Sequence, residues 1–468
     1  MQFEANAADA SADNECLNAF KIETDCTFQK DRNNVCAPET GLWFFHHPAY
    51  EAFQAAKGPQ LLFTTAEAGG GKSTVSRTII DQSLASDSRP LVAYYFFKDD
   101  DDQLRSYEDA LGSMIHQLFV QQRSLIKCAR LLYKQYGYGI RYQTKEMWNI
   151  LFAIATEANR DVVCILDAVD ECAPAGRRQL IEDLVAAFQI VLHPTARLKL
   201  VATSRPYRDD NHPYDKLTTS NNIRQLIGEN AKVQSDIQAV ICYKAEELAK
   251  KRQLSSSTLE MLVQSISSQN TQTRSFLAVR MAFELLDSHS IMHDGAGEDV
   301  IRKILDDVPQ SLSDQFDTML NRSADKEHAR RLFSIILASR KTLKLPEFKI
   351  LYSLTDPTNS RLGKSRSYPN LDIVADDEEF KRLVRSKCGL FITFVRSSVH
   401  LFHQTAREHL MCRVDSNPSG LLDEISPPAS GMDTWKGFIS NTDANLVFLV
   451  VCLDIMASEV PETWVQEV

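Results

Sequence analysis

The sequence predicts an α/β domain built on a parallel sheet, followed by a helical domain and a winged-helix domain. Three observations predict it. Apolar, β-forming runs at Leu91–Phe97 (LVAYYFF), Asp161–Leu166 (DVVCIL) and Leu198–Thr203 (LKLVAT) alternate with helical patterns, as the buried strands of a parallel sheet do. A strand, a glycine-rich turn and the start of a helix follow one another within Gln60–Thr74, QLLFTTAEAGGGKST. Past Pro206 helical patterns take over. Two short strands, Phe391–Phe394 and Val399–Phe402, then flank an Arg396-Ser397-Ser398 turn and lead into a helix over Thr405–Met411.

Taken in order, residues 1–15 are polar and acidic and read as disordered. Residues 16–58 read as a helical lead-in. Its aromatic group Trp43, Phe44, Phe45 and Tyr50 must pack on something: the neighbouring sheet domain, or the base of a bound ligand. The sheet domain spans 59–227, with helices expected over Ser73–Ala85, Ser106–Gln122, Ser124–Gln135, Lys145–Ala158 and Arg177–Leu192. A polar stretch, Asp209–Asn222, precedes a short strand at Ile223–Ile227. A helical domain over 228–292 carries patterns at Val233–Lys251, Ser257–Ser268 and Ser275–Leu286. The winged-helix domain spans 293–415, with helices expected throughout Asp299–Ile350. Residues 416–468 comprise a Ser/Pro/Gly linker and a last helix over Asp443–Ala457.

The glycine-rich stretch has the chemistry of a phosphate cradle. It fits the P-loop pattern except that Ala66 stands at the first glycine position. Gly69, Gly70 and Gly71 let backbone N–H groups converge on phosphate oxygens, and the helix that follows, with Thr74 in its first turn, turns its positive end toward the same anion. Lys72 can reach β- and γ-phosphates, and the Ser73 hydroxyl can ligate Mg²⁺.

ILDAVDEC supplies the acidic partner. Asp167 directly follows a buried strand, where a Mg²⁺-holding carboxylate belongs. Asp170 and Glu171 stand where they can orient or deprotonate a water, or cap the next helix. Arg205 ends a further strand and reads as a γ-phosphate sensor or as a surface arginine. Four aspartates, Asp99–Asp102, read as a solvated loop or as a magnesium site. His403, in LFHQTAREHL, reads as a packed core histidine or a ligand contact.

Composition excludes several classes. A net charge of −10 argues against nucleic acid as the main partner. The ten cysteines show no zinc spacing and fall largely in apolar runs, so free thiols in a reducing, cytoplasmic setting are expected. The N-terminus is unlike a signal peptide, and the apolar run Leu446–Leu453 is too short to span a bilayer, so no membrane association is expected.

TAEAGGGKS, ILDAVDEC and VATSRP, in this order, resemble the nucleotide site of NACHT-domain STAND P-loop NTPases, most closely the fungal NLR-like type with a nephrocystin-3-like N-terminal domain. CLNAFKIETDCTFQKDRN, YYFFKDDDDQLRSYEDALGSMIHQLF and the segment from VPQSLSDQFDTML to VHLFHQTAREHL extend the likeness over about Cys16–Met456. The resemblance implies a switch that binds ATP or ADP with Mg²⁺, hydrolyses slowly, and opens to self-associate in signalling or incompatibility-type responses. GTP is the alternative nucleotide. Lys72 and Ser73 would hold phosphate and metal, Asp167 the metal, Asp170 and Glu171 the water, and Arg205 would be the sensor. His403 matches the winged-helix histidine that touches the β-phosphate of ADP.

The sequence departs from the family at Ala66 and near Arg274-Ser275-Phe276, which lacks a proline that many members place beside the base. Members also carry effector and repeat domains that are not read in this sequence. A truncated product, a regulatory fragment, or a sensor recruiting such domains in trans is therefore expected. Two rival functions stay open: an interaction scaffold that keeps nucleotide without turnover, and a P-loop kinase acting on a small acceptor.

Overall fold

The structure is a computed structural model. It describes residues 2–23, 25–33, 35–37, 40–99, 101–189, 193–206, 217, 220, 222–227, 230–273, 275–287, 302–303, 311–323, 325–355, 376–395, 397–411 and 434–456. The chain divides into two compact units, Met1–Tyr243 with Arg274–Phe276, and Lys244–Thr273 with Leu277–Val468.

The first unit is organised by five parallel strands, β1 (Gln60–Thr65), β2 (Leu91–Phe96), β3 (Val162–Asp167), β4 (Leu198–Ser204) and β5 (Ile223–Ile227), in the order β2-β3-β4-β1-β5. Alternation along the strands gives two buried faces. Leu61, Phe63, Ala93, Tyr95, Cys164, Leu166, Leu200 and Ala202 enter one apolar core. Leu62, Val92, Tyr94, Phe96, Ile165 and Val201 enter the other. Parallel strands require crossovers, and these are helices: α5 (Lys72–Ala85), α6 (Tyr107–Gln121), α8 (Thr144–Glu157) and α9 (Pro174–Gln189). Between α6 and α8 the expected helix over Ser124–Gln135 divides into a 3₁₀ stretch, Arg123–Cys128, and α7 (Arg130–Tyr136).

The outer edge of β2 is closed by side chains. Gln121 of α6 accepts from Val92 N–H at 3.0 Å and donates to Val92 C=O at 2.7 Å. Gln117, one turn earlier, treats Tyr94 in the same way at 3.1 and 2.8 Å. Two glutamines four residues apart thus stand in for a missing neighbour strand and satisfy an exposed edge.

The lead-in contributes α2 (Cys26–Asp31), α3 (Leu42–Phe45) and α4 (Pro48–Ala55). Phe44, Tyr50 and Phe53 pack on Leu62, Ile79 and Val201, which is the packing role for the aromatic group. The expectation of a disordered 1–15 is corrected: Gln2–Ala19 is a helix, α1. Its last turns bury Cys16 and Ala19, followed by Phe20, and Arg130 clamps Asp13 with two 2.7 Å bonds. Apolar anchors at the helix end outweigh the polar composition of its start. The described cysteines are free thiols.

The expected boundary at residue 228 falls differently in the structure. Helix α10 (Asn230–Arg252) starts in the first unit and ends in the second, and a short return, Arg274–Phe276, belongs to the first unit again.

The second unit continues through α11 (Ser256–Thr273) and α12 (Phe276–Asp287), whose first residue lies in the first unit. Its core gathers Leu277, Met281, Phe316, Phe333, Phe348, Phe391 and Trp435. The expected hairpin is present as β7 (Ile392–Val395) and β8 (Ser398–Leu401), paired antiparallel. A third strand, β6 (Leu343–Lys344), pairs with β8 and interrupts the helices expected through Ile350. Two residues are too short to give a period-2 signal, so the strand is invisible in the sequence. The helices Leu345–Thr355, Asp377–Cys388 and Gln404–Leu410 surround this three-stranded sheet, and Asn441–Met456 is the last described helix. The linker expected near 416–431 and most of Asp209–Asn222 lie outside the described residues.

Candidate nucleotide site

Ligands of parallel α/β sheets bind beyond the carboxyl ends of the strands, and Ala66–Thr74, Asp167, Asp170, Glu171 and Arg205 collect there. The sheet order puts β4 between β1 and β3. The end of β4 therefore lies between the glycine-rich loop after β1 and the acidic turn after β3.

The loop is shaped by its glycines. Gly69 and Gly71 take left-handed φ values of 71° and 82°, which side chains disfavour. A Cβ at Gly70 would stand 3.0 Å from the Glu67 carbonyl oxygen, and one at Gly71 would stand 3.3 Å from the Phe276 ring. Phe276, which belongs to the first unit, also donates its N–H to Gly69 C=O at 3.2 Å. Ala66 donates its N–H to Ser204 C=O at 3.2 Å, so the residue at the first glycine position joins the loop to β4.

Lys72 opens α5 and folds back over the loop, donating to Ala66 C=O at 2.6 Å and Glu67 C=O at 3.1 Å. Burial pushes its ammonium below the ordinary lysine range, while Asp170 and Asp167 pull the other way. Thr74, in the first turn of α5, accepts from Thr78 Oγ1 at 2.9 Å through its carbonyl, and its side chain is half-buried.

Asp167 ends β3 with no exposed surface. Its Oδ2 accepts from Ser73 Oγ at 2.6 Å, and its Oδ1 accepts from Ser76 Oγ at 2.6 Å and Thr203 Oγ1 at 2.8 Å. The structure thus unites Ser73 and Asp167, the two residues expected to hold a metal. Ser76 and Thr203 were not singled out in the sequence. Ser76 carries a faint signal, one helical turn beyond Ser73 on the same face. Thr203 carries none without the strand order.

After Asp167, Ala168 adopts a left-handed φ of 57° and the chain makes a 3₁₀ turn over Val169–Glu171. Asp170 turns both carboxylate oxygens to Arg205: Oδ1 accepts from Arg205 N–H at 3.0 Å, and Oδ2 lies 3.2 Å from Arg205 Nε. Arg177 of α9 donates to Asp170 C=O at 2.7 Å. Glu171 Oε2 accepts from Asp99 N–H at 3.4 Å and lies 3.9 Å from Lys98 Nζ, tying the acidic turn to the end of β2. Within the aspartate run, buried Asp101 accepts from Gln103 N–H at 3.0 Å and caps a 3₁₀ turn.

His403 belongs to the second unit, where it caps the helix Gln404–Leu410. Its Nδ1 accepts from Thr405 N–H at 3.1 Å and lies 2.8 Å from Thr405 Oγ1. Accepting at Nδ1 places the proton of the neutral ring on Nε2. The His-x-Thr spacing is thus a capping geometry.

Residues 39–205 match the family described as Nephrocystin 3, N-terminal. The chain is 23% identical over 414 residues to the vegetative incompatibility protein HET-E-1 of Podospora anserina. The chain is similar to NACHT proteins of the fungal NLR type. That alignment covers 85% of this chain and spans 28% of the length of HET-E-1. The segment that matches this family runs from the lead-in through β4 to Arg205 and contains Ala66–Thr74, Asp167, Asp170 and Glu171. Among solved structures, the ORC2 protein of Aeropyrum pernix in ADPNP–ADP complexes aligns at 13% identity with a TM-score of 0.35, covering 92% of this chain and 98% of that one. Cdc6p of Pyrobaculum aerophilum aligns at 11% identity with a TM-score of 0.38, covering 83% and 94%.

Proposed function

We propose that this NACHT-like chain is a nucleotide-operated switch that binds ATP and ADP with Mg²⁺, hydrolyses ATP slowly, and self-associates when the triphosphate is bound. GTP is the alternative nucleotide. The observation that carries the reading is the Ser73–Asp167 pair at 2.6 Å beside a loop in which a Cβ at Gly70 or Gly71 would be crowded. The donor set fits the group: a hydroxyl and a carboxylate for a hard cation, with a lysine and helix-start N–H groups for phosphate oxygens. Bound Mg²⁺ would neutralise developing phosphate charge. Lys72 would exchange its loop carbonyls for phosphate, and Asp170 would orient or deprotonate a water. The family resemblance supports assigning His403 to the β-phosphate of ADP, as a latch on the closed form. Losing one charge-assisted hydrogen bond is worth about 1.5–3 kcal/mol, enough to shift a closed-to-open ratio roughly ten- to a hundredfold.

Mass spectrometry of nucleotide released from gently purified, heat-denatured protein tests the reading. ADP recovered from wild type and lost from Lys72→Ala supports it. Undiminished binding of added nucleotide by Lys72→Ala overturns the site assignment.

A non-hydrolysing scaffold is the second reading. It is favoured by Asp170 having both carboxylate oxygens turned to Arg205. Signalling in incompatibility-type responses, a cytoplasmic location and partners supplying effector or repeat domains complete the proposal. No described helix is long and apolar enough to cross a membrane.

A further inference from the structure

Asp167 is held from its far side, and we propose that Ser76 and Thr203 are positioning residues that aim its other oxygen at the cation. The inference rests on the nucleotide–Mg²⁺ reading above. Asp167 and Ser76 have no exposed surface and Thr203 almost none. Both hydroxyls converge on Oδ1, from different elements: Ser76 from α5 at 2.6 Å and Thr203 from β4 at 2.8 Å. Oδ2 is left to Ser73, on the loop side.

The direction of the Thr203 bond is fixed by hydrogen counting. Thr203 Oγ1 accepts from Ala168 N–H at 3.0 Å, so its single proton goes to Asp167. The same hydroxyl therefore holds both the carboxylate and the first peptide of the acidic turn that carries Asp170 and Glu171. Ser73 and Ser76, three residues apart on one helical face, take one carboxylate oxygen each. A carboxylate gripped at one oxygen by two buried donors cannot rotate, and its second oxygen stays aligned with the Ser73 hydroxyl. Partners of this kind typically govern metal affinity by 10–100-fold.

The test measures binding of a fluorescent adenine nucleotide against Mg²⁺ concentration, and again in excess EDTA, for wild type, Ser76→Ala, Thr203→Val and Thr203→Ser. The expected result is a Mg²⁺ half-saturation raised about tenfold or more in Ser76→Ala and Thr203→Val. Thr203→Ser, which keeps the hydroxyl, stays near wild type, and metal-free affinity is unchanged in all. An unchanged Mg²⁺ dependence in Ser76→Ala and Thr203→Val overturns the inference. So does an equal loss of affinity with and without Mg²⁺, which marks a purely structural role. Should Thr203→Val fail to fold, Ser76→Ala alone yields the same outcomes. Lys72→Ala, run alongside, separates the two levels: if it binds nucleotide like wild type, the underlying site reading fails, whatever Ser76 does.

Discussion

Arg205 holds Asp170 at both carboxylate oxygens, with its backbone N–H 3.0 Å from Oδ1 and its Nε 3.2 Å from Oδ2. The residue expected to sense a γ-phosphate and the residue expected to handle water are therefore one pair, joining the end of β4 to the turn after β3. In the structure the two are each other's counter-ion. A change in one is felt by the other.

Asp170→Asn keeps the size of the side chain and removes its charge and basicity. The expected outcome is a loss of about 10²-fold or more in single-turnover hydrolysis of radiolabelled ATP, with nucleotide affinity changed only a few-fold. Turnover absent from both proteins would favour the scaffold reading, and equal, measurable turnover in both would remove Asp170 from the chemistry. A labelled acceptor in place of free phosphate would instead revive the kinase alternative.

Gly71 has a φ of 82° and faces the Phe276 ring. Gly71→Ala adds a left-handed cost of about 1–2 kcal/mol and a contact the ring must yield to. Both a lower denaturation midpoint and weaker nucleotide binding are expected. A variant as stable and as tight-binding as wild type would show that the loop relaxes freely.

His403 has two separable jobs in the present reading. His403→Ala removes the cap on the helix Gln404–Leu410, where a good cap is worth about 0.5–2 kcal/mol. It also removes the imidazole. His403→Asn restores a capping side chain without the ring. Stability recovered in His403→Asn, with ADP release about ten- to a hundredfold faster in both variants, is the outcome expected of a latch. ADP release at the wild-type rate in both would confine His403 to its helix.

Lys199, on β4, donates to Phe53 C=O at 2.6 Å and Ala56 C=O at 2.5 Å, joining the sheet to the end of α4. Burial lowers its ammonium from 10.5 to about 8. Between these values the unfolded chain binds the proton and the folded protein does not, so stability from this group rises with pH across that window. Below about 8 the folded state carries a buried charge; above 10.5 neither state does. In urea unfolding, wild type is expected to gain on Lys199→Met between about pH 7 and pH 9.5. A pH-independent difference would place the ammonium in a well-solvated position.

Much of the site was legible in the sequence because its chemistry is local. Ala66 to Thr74 specify a loop and a helix start by residue type alone, and Asp167 follows an unbroken apolar run. The pairing of Arg205 with Asp170 was not legible, since the residues are separated by α9 and β4 and meet only through strand order. Asp99–Asp102 reads in the sequence as a solvated loop or a magnesium site. A charge run that invites a metal reading spends one carboxylate, Asp101, on capping a turn, and Glu171 binds the Asp99 backbone. The N-terminal segment misled because composition reports average solvation, whereas a helix end can be fixed by three buried side chains, Cys16, Ala19 and Phe20.

By itself the sequence determined the elements and the residue types of the candidate site: apolar runs of strand length, helical periodicities, and a glycine–lysine–serine turn are set by neighbours within a few residues. Only the tertiary structure decided how the carboxylate of Asp167 is oriented, which hydroxyls hold it, and where Phe276 meets the loop. Those relations depend on β4 entering the sheet between β1 and β3 and on the chain returning at Arg274–Phe276. Hydrogen bonds between elements are fixed by packing in three dimensions, and no local pattern in the chain encodes them.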